Sequence, residues 1–135
     1  MTTYLLVGLA SGTLFMVLDA LLNANPIARR LSAAYAPIAR DRLNLVPAVA
    51  IDLLLGLVMA GIFILLRGSF PGGPVVGAAI CFGLLAWFFR VLMNALSQWL
   101  MFNVPVTTHL YVIATGLLEM LALGFFYAVA FRSFP

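Results

Sequence analysis

The sequence contains very little charge. Of its 135 residues only 8% are Asp, Glu, Lys or Arg, whereas ordinary soluble domains carry about 25%. Hydrophobic residues make up 65% of the chain, and its mean hydropathy is +1.18. So few polar groups could not cover a surface that faces water, and the composition therefore excludes a soluble globular domain.

Residues that bind metals or carry out catalysis are also scarce. The only cysteine is Cys81 and the only histidine is His109, so the chain can form no internal disulfide and cannot supply two histidines to a haem. We expect this lone histidine to be solvated or hydrogen-bonded. There is no P-loop, no dinucleotide-binding fingerprint and no GxSxG motif, and Ser97 has no evident histidine partner. These absences predict a protein that is not an enzyme and binds no metal or cofactor.

The basic residues are all arginine, and most of them lie beside apolar runs. The chain has seven such residues and no lysine. A nucleic-acid-binding protein would present them as a patch or stripe on one surface. Their position next to the apolar runs is instead typical of residues that orient a membrane protein, so no nucleic-acid partner is predicted.

Four long apolar runs dominate the chain. They lie at about residues 3–23, 46–67, 75–102 and 105–131. Each is close to or above the roughly 20 residues that a helix needs to cross a bilayer. The sequence therefore predicts an all-α integral membrane protein, with residues 1–135 forming one domain folded as an up-down four-helix bundle. Because the first run has no basic residue before it and is long for a signal peptide, we interpret it as a retained span.

The connections between the runs predict the orientation. The first connection carries four arginines, which are Arg29, Arg30, Arg40 and Arg42, against the single acid Asp41. By the positive-inside rule this connection faces the cytoplasm. Both termini then lie outside, in the periplasm if the membrane is a Gram-negative inner membrane. Arg67 and Arg132 fall on the outer side, where they are outnumbered four to two.

The first connection also carries the pattern of a short helix. Asn25 can cap a helix that begins at Pro26, and the apolar positions from Ile27 to Ile38 share one face. One interpretation is an interfacial amphipathic helix whose four arginines contact anionic lipid headgroups, at about 1 kcal/mol each. The other is a polar linker that only follows the orientation rule.

Each span carries its ionisable residue on the same helical face as small residues. Small residues mark the side on which membrane helices approach closely. Ionisable side chains avoid lipid, because one at the bilayer centre costs from about 2.5 to more than 10 kcal/mol. Both patterns indicate the interior of the bundle for the four ionisable residues, which are Asp19, Asp52, Arg90 and Glu119.

The depth of these residues predicts which of them meet. At 1.5 Å per residue, Arg90 lies about 18 Å and Glu119 about 20 Å from the cytoplasmic end, so we expect an ion pair near mid-membrane. A polar pocket would separate this pair from the cytoplasm, and it would be lined by Asp19, Asp52, Asn94, Ser97 and Gln98. The outer half of the bundle would have almost no polar group facing inward.

Three functions remain open at this point. The leading hypothesis is a non-enzymatic accessory or structural subunit of a larger membrane complex, or a homo-oligomer, because small residues are dense on every span. The alternative is a small proton-coupled transporter or channel for a cation or small solute. It is favoured by three acids facing a single arginine, which leaves charge uncompensated. A lipid-modifying membrane enzyme is the second alternative.

Overall fold

Helices account for nearly all of the computed structural model, which describes residues 1–39, 44–70 and 75–132 and contains no strand in those ranges. Four helices in the described part are long and apolar enough to span a membrane, which confirms the all-α four-helix fold. They are α1 (Thr2–Ala24), α3 (Leu45–Leu66), a third span made of α4 (Val75–Ala86), a π-helical turn (Trp87–Leu92) and α5 (Met93–Met101), and α6 (Val106–Ala130). Each begins and ends within one residue of a run recognised in the sequence.

A short helix, α2 (Pro26–Ser32), follows the first span as predicted. The side-chain oxygen of Asn25 accepts a hydrogen bond from the backbone N–H of Ala28 at 2.9 Å, so Asn25 caps the helix. A 3₁₀ turn over Ala33–Tyr35 then ends it. The buried residue of α2 is Ala28, whereas Ile27 is exposed. Leu31, which shares the predicted apolar face with Ile27, is half-buried, so the bundle covers this face only in part.

Only part of the arginine-rich connection can be described. Arg29 and Arg30 are exposed and lie in the last turn of α2. Arg40, Asp41 and Arg42 lie outside the described residues. Contact between these arginines and lipid headgroups stays a prediction.

The four spans pack as two close pairs, α1 with α3 and α4 with α6, and α1 also contacts α6. In the first pair, Gly56 lies against the backbone of α1 at Gly8 and Gly12. In the second pair, Gly124 lies against the backbone of α4 at Ala79. A Cβ atom at Gly56 or Gly124 would overlap backbone atoms of the neighbouring helix, so close packing requires glycine at both positions.

An aromatic cluster fills the half of the bundle farther from α2. The ring centroid of Phe63 lies 5.1 Å from that of Phe82 and 5.7 Å from that of Tyr127. The hydroxyl of Tyr127 donates to Ser11 Oγ at 2.9 Å, and both residues are fully buried. The prediction that this half has almost no inward polar group is therefore wrong. The two hydroxyls are tolerated there because they are hydrogen-bonded.

Candidate functional site: a polar cavity beside Arg90 and Glu119

The π-helical turn at Trp87–Leu92 contains Arg90 and interrupts the third span near its middle. The indole N–H of Trp87 donates to the backbone carbonyl of Ile113 at 2.9 Å, which ties the turn to α6. Single π turns within α-helices are uncommon and are found frequently at functional sites. Arg90 therefore lies in a local structure that is typical of functional sites.

Arg90 forms an ion pair with Glu119 of α6. Its Nη1 atom lies 3.6 Å from Glu119 Oε2, and the side chains are 36% and 8% exposed, respectively. The guanidinium carbon lies 4.2 Å from the ring centroid of Phe15 on α1, and Nη1 lies 4.0 Å from the sulfur of Met120. The structure thus brings together the two residues that the sequence paired. The contact is single and long, unlike the short bidentate geometry of a tight arginine–carboxylate pair.

The other carboxylate oxygen of Glu119, Oε1, is buried and has no hydrogen-bond partner among the described residues. Leaving a buried polar atom unpaired typically costs about 1–3 kcal/mol, and more when the group is charged. Such atoms are uncommon in folded proteins, and each requires an explanation such as a bound water, an ion or a functional role. Glu119 therefore has unused capacity to accept a hydrogen bond.

A cavity of about 200 Å³ lies beside this carboxylate. Its polar lining consists of Asp19, Asn23, Arg90, Asn94, Thr115 and Glu119. At about 30 Å³ for each molecule of liquid water, the cavity has room for roughly six waters or a small solute. It lies between α1, the third span and α6.

A larger groove of about 520 Å³ adjoins the cavity at Asp19 and Asn23, which line both. This groove lies between α1, α2 and α3, and it is also lined by Asp52 and Arg29. Asp19 and Asp52 both interact electrostatically with Arg90. Polar groups therefore continue from the α2 end of the bundle inward to Glu119.

Asn94 and Gln98 connect the cavity to the segment after α2. The side-chain N–H of Gln98 donates to Asn94 Oδ1 at 3.5 Å, and the hydroxyl of Tyr35 donates to Gln98 Oε1 at 3.1 Å. Asn94 lines the cavity itself. Gln98 is therefore linked to the predicted pocket through Asn94.

Ser97 does not belong to the pocket in which the sequence placed it. Its side chain is exposed, and its hydroxyl donates to the backbone carbonyl of Met93 at 2.9 Å. The reason is the π turn, which takes in one more residue than an α turn and so rotates all later positions of the span. The buried position is Val91 within the turn and Ala95 in α5 after it.

The sequence did not point to Phe15, although its ring covers the guanidinium of Arg90. Phe15, Asp19 and Asn23 are spaced four residues apart on α1, which places them along one face of the helix. The amide of Asn23 donates to Asp19 Oδ1 at 2.9 Å. The spacing of four residues is the one feature of the sequence that could have placed the ring of Phe15 near Asp19.

His109 is buried near the start of α6, and its Nε2 atom has no hydrogen-bond partner in the described ranges. Solvation of this histidine is therefore contradicted, whereas a hydrogen bond at its other ring nitrogen stays a prediction. Nowhere among residues 1–39, 44–70 and 75–132 do three His, Cys, Asp or Glu side chains come together in a way that could hold a metal ion.

No protein-family model matches this sequence, and neither a curated protein nor a solved structure matches it. The function is therefore inferred from the residues of the chain alone.

Proposed function

We propose that the protein is a small membrane transporter or channel whose cavity beside Glu119 binds a proton or a small cation. The observation that supports this function most directly is the carboxylate of Glu119. It is more than nine-tenths buried, it borders a cavity, and one of its oxygens has no partner among the described residues. A salt bridge that serves only to hold helices together is expected to satisfy both oxygens, because a buried unpaired acceptor is destabilising.

The balance of charge favours a cationic ligand. Within the spans, the carboxyl groups of Asp19, Asp52 and Glu119 are accompanied by one guanidinium, that of Arg90. Arg29 adds a second guanidinium only at the groove beside α2. Ionisable residues within membrane helices commonly mark ion pathways and proton relays. An excess of carboxylates in such a cavity attracts a proton or a cation and repels an anion.

The ligand would enter through the groove beside α2 and reach Glu119 by way of Asp19. On the far side of the site, the hydrogen bond between Tyr127 and Ser11 and the aromatic cluster around Phe63 fill the bundle. The arrangement corresponds to a carrier open to one side of the membrane. Passage to the other side would require α1 and α6 to separate at this contact.

We propose that the groove faces the cytoplasm and that the protein lies in the plasma or inner membrane with both termini outside. Arg29 and Arg30 lie in α2, and Arg40 and Arg42 belong to the same connection of the sequence. Arg67 and Arg132 line a cavity at the opposite end. The positive-inside rule then favours the α2 end as the cytoplasmic one.

The accessory-subunit or homo-oligomer hypothesis loses its main support from the sequence. On each of the four spans, glycines pack between spans of the same chain, as Gly56 does against α1 and Gly124 against α4. These glycines are therefore used within the bundle and do not offer a surface for close approach by a partner helix.

Proteoliposomes test the proposed function. Protein reconstituted with an imposed pH gradient should give a proton or cation flux above that of empty liposomes. Glu119→Gln should abolish the flux. Ser97→Ala should leave the flux unchanged, because the hydroxyl of Ser97 is exposed and is hydrogen-bonded within its own helix. Circular dichroism checks that both variants remain folded. Flux equal to that of empty liposomes for protons, Na⁺ and K⁺ and for organic cations would overturn the proposal.

A further inference from the structure

We propose that the ligand of this cavity is a small organic cation bearing N–H donors, of the guanidinium or primary ammonium class, held between the carboxylates of Glu119 and Asp19. This inference rests on the proposed function and narrows its ligand. Arg90 remains paired with Glu119 Oε2, and the ligand donates a hydrogen bond to Glu119 Oε1.

The carboxylates of Glu119 and Asp19 offer acceptor oxygens to a ligand in this cavity. The amide N–H groups of Asn23 donate to the backbone carbonyl and to Oδ1 of Asp19, both at 2.9 Å. The hydroxyl hydrogen of Thr115 is donated to the carbonyl of Tyr111 at 2.8 Å. These hydrogens are already used on their own helices, so the N–H donors that remain in the lining are those of Arg90 and Asn94. A ligand that donates hydrogen bonds matches the carboxylate oxygens of Glu119 and Asp19.

Two carboxylates suit such a cation better than they suit a divalent metal ion. A metal ion held by only two carboxylates has to complete its coordination shell with water, since zinc takes four ligands and calcium six to eight oxygens. The described residues contain no group of three His, Cys, Asp or Glu side chains placed to hold a metal. An ammonium or guanidinium group, in contrast, is satisfied by charge-assisted hydrogen bonds to one or two carboxylates.

The side chain of Arg90 shows how a guanidinium is accommodated at this depth. It lies over the face of Phe15 and is paired with Glu119, so it combines a cation–π contact with an ion pair. The neighbouring cavity of about 200 Å³ is close in size to six waters. Methylguanidinium and methylammonium, which have only a few heavy atoms each, fit that space.

Thermal unfolding of the full chain in detergent tests the ligand class, because a ligand that binds only the folded state raises the unfolding temperature. The probes are methylguanidinium, methylammonium and tetramethylammonium chloride at millimolar concentrations and equal ionic strength, with KCl and MgCl₂ for comparison. Methylguanidinium or methylammonium should raise the unfolding temperature in a saturable way. Tetramethylammonium, which has the same charge and no N–H group, should not.

Two site variants and one control accompany this measurement. Glu119→Gln and Asp19→Asn should each reduce the apparent affinity at least tenfold, and Ser97→Ala should leave it unchanged. If Glu119→Gln does not fold, the unaltered protein and Asp19→Asn, whose side chain is exposed, still decide the question. Equal stabilisation by tetramethylammonium, or none by any N–H cation, would overturn the inference.

The flux assay separates this inference from the function on which it rests. A proton, Na⁺ or K⁺ flux that depends on Glu119, without saturable binding of any organic cation, would contradict the proposed ligand class but not the proposed transport function. Absence of both the flux and the binding would contradict both proposals.

Discussion

The phenol oxygen of Tyr127 on α6 lies 2.9 Å from the hydroxyl oxygen of Ser11 on α1 and 3.2 Å from the backbone carbonyl oxygen of Gly56 on α3. Three spans therefore meet at one buried polar point. Tyr4 makes a comparable contact between two spans, donating to the carbonyl of Leu57 at 2.8 Å. These bonds satisfy polar groups in an apolar interior, and they hold together the half of the bundle opposite the cavity.

Removing this hydroxyl should destabilise the fold moderately. Tyr127→Phe keeps the ring in the aromatic cluster but loses the hydrogen bond, so we expect the free energy of unfolding to fall by about 0.5–1.5 kcal/mol. Unfolding in mixed detergent micelles, followed by circular dichroism, measures the change. Phe125→Leu, at an exposed side chain, should stay within about 0.5 kcal/mol. A variant as stable as the unaltered protein would show that the bond does not hold the spans.

The close packing of α1 and α3 should not tolerate a methyl group at Gly56. A Cβ there would meet backbone atoms of Gly8 and Gly12, so Gly56→Ala is expected to lower the free energy of unfolding by about 1–3 kcal/mol. Gly77→Ala is the matched control, because a Cβ at Gly77 meets no atom within 4 Å. The same unfolding assay applies. Equal effects at the two glycines would contradict the observed packing.

A double-mutant cycle measures the pair formed by Arg90 and Glu119. Arg90→Met leaves the Glu119 carboxylate without a positive partner, and Glu119→Leu leaves the Arg90 guanidinium without a negative one. Each single variant is therefore expected to be less stable than the unaltered protein. The double variant should be more stable than the sum of the two losses predicts, by about 1 kcal/mol. Additive effects would mean that the contact of 3.6 Å carries no energetic coupling.

Thiol labelling tests whether the cavity contains water and which side of the membrane it opens to. In a Cys81→Ala background, Asn23→Cys and Thr115→Cys should react with a membrane-impermeant thiol reagent, because both positions line the cavity. Ser11→Cys should remain unreactive because Ser11 is fully buried.

The direction of labelling is informative as well. We expect reaction only from the cytoplasmic face, to which the groove beside Arg29 is assigned, and this is checked by comparing inside-out with right-side-out vesicles. Reaction from the opposite face alone would reverse the proposed orientation, and equal reaction of Ser11→Cys would contradict the closed half of the bundle.

The candidate site was only partly visible in the sequence. Arg90 and Glu119 could be paired because their depth follows from a constant rise per residue, which a π turn changes little. The face of the third span could not be followed in the same way. An angle of 100° per residue holds only in an unbroken α-helix, so the prediction failed at Ser97, beyond the π turn.

The sequence by itself determined that four helices are long and apolar enough to span a membrane, where each begins and ends, and which few side chains carry charge. These properties depend on run length and hydrophobicity, which are local. Tertiary structure alone decided that the phenol of Tyr127 turns inward to Ser11, that Phe15 covers Arg90, and that one oxygen of Glu119 lacks a partner in the described chain. Each of these depends on the rotation of one helix against another, which is set by packing between residues far apart in the chain.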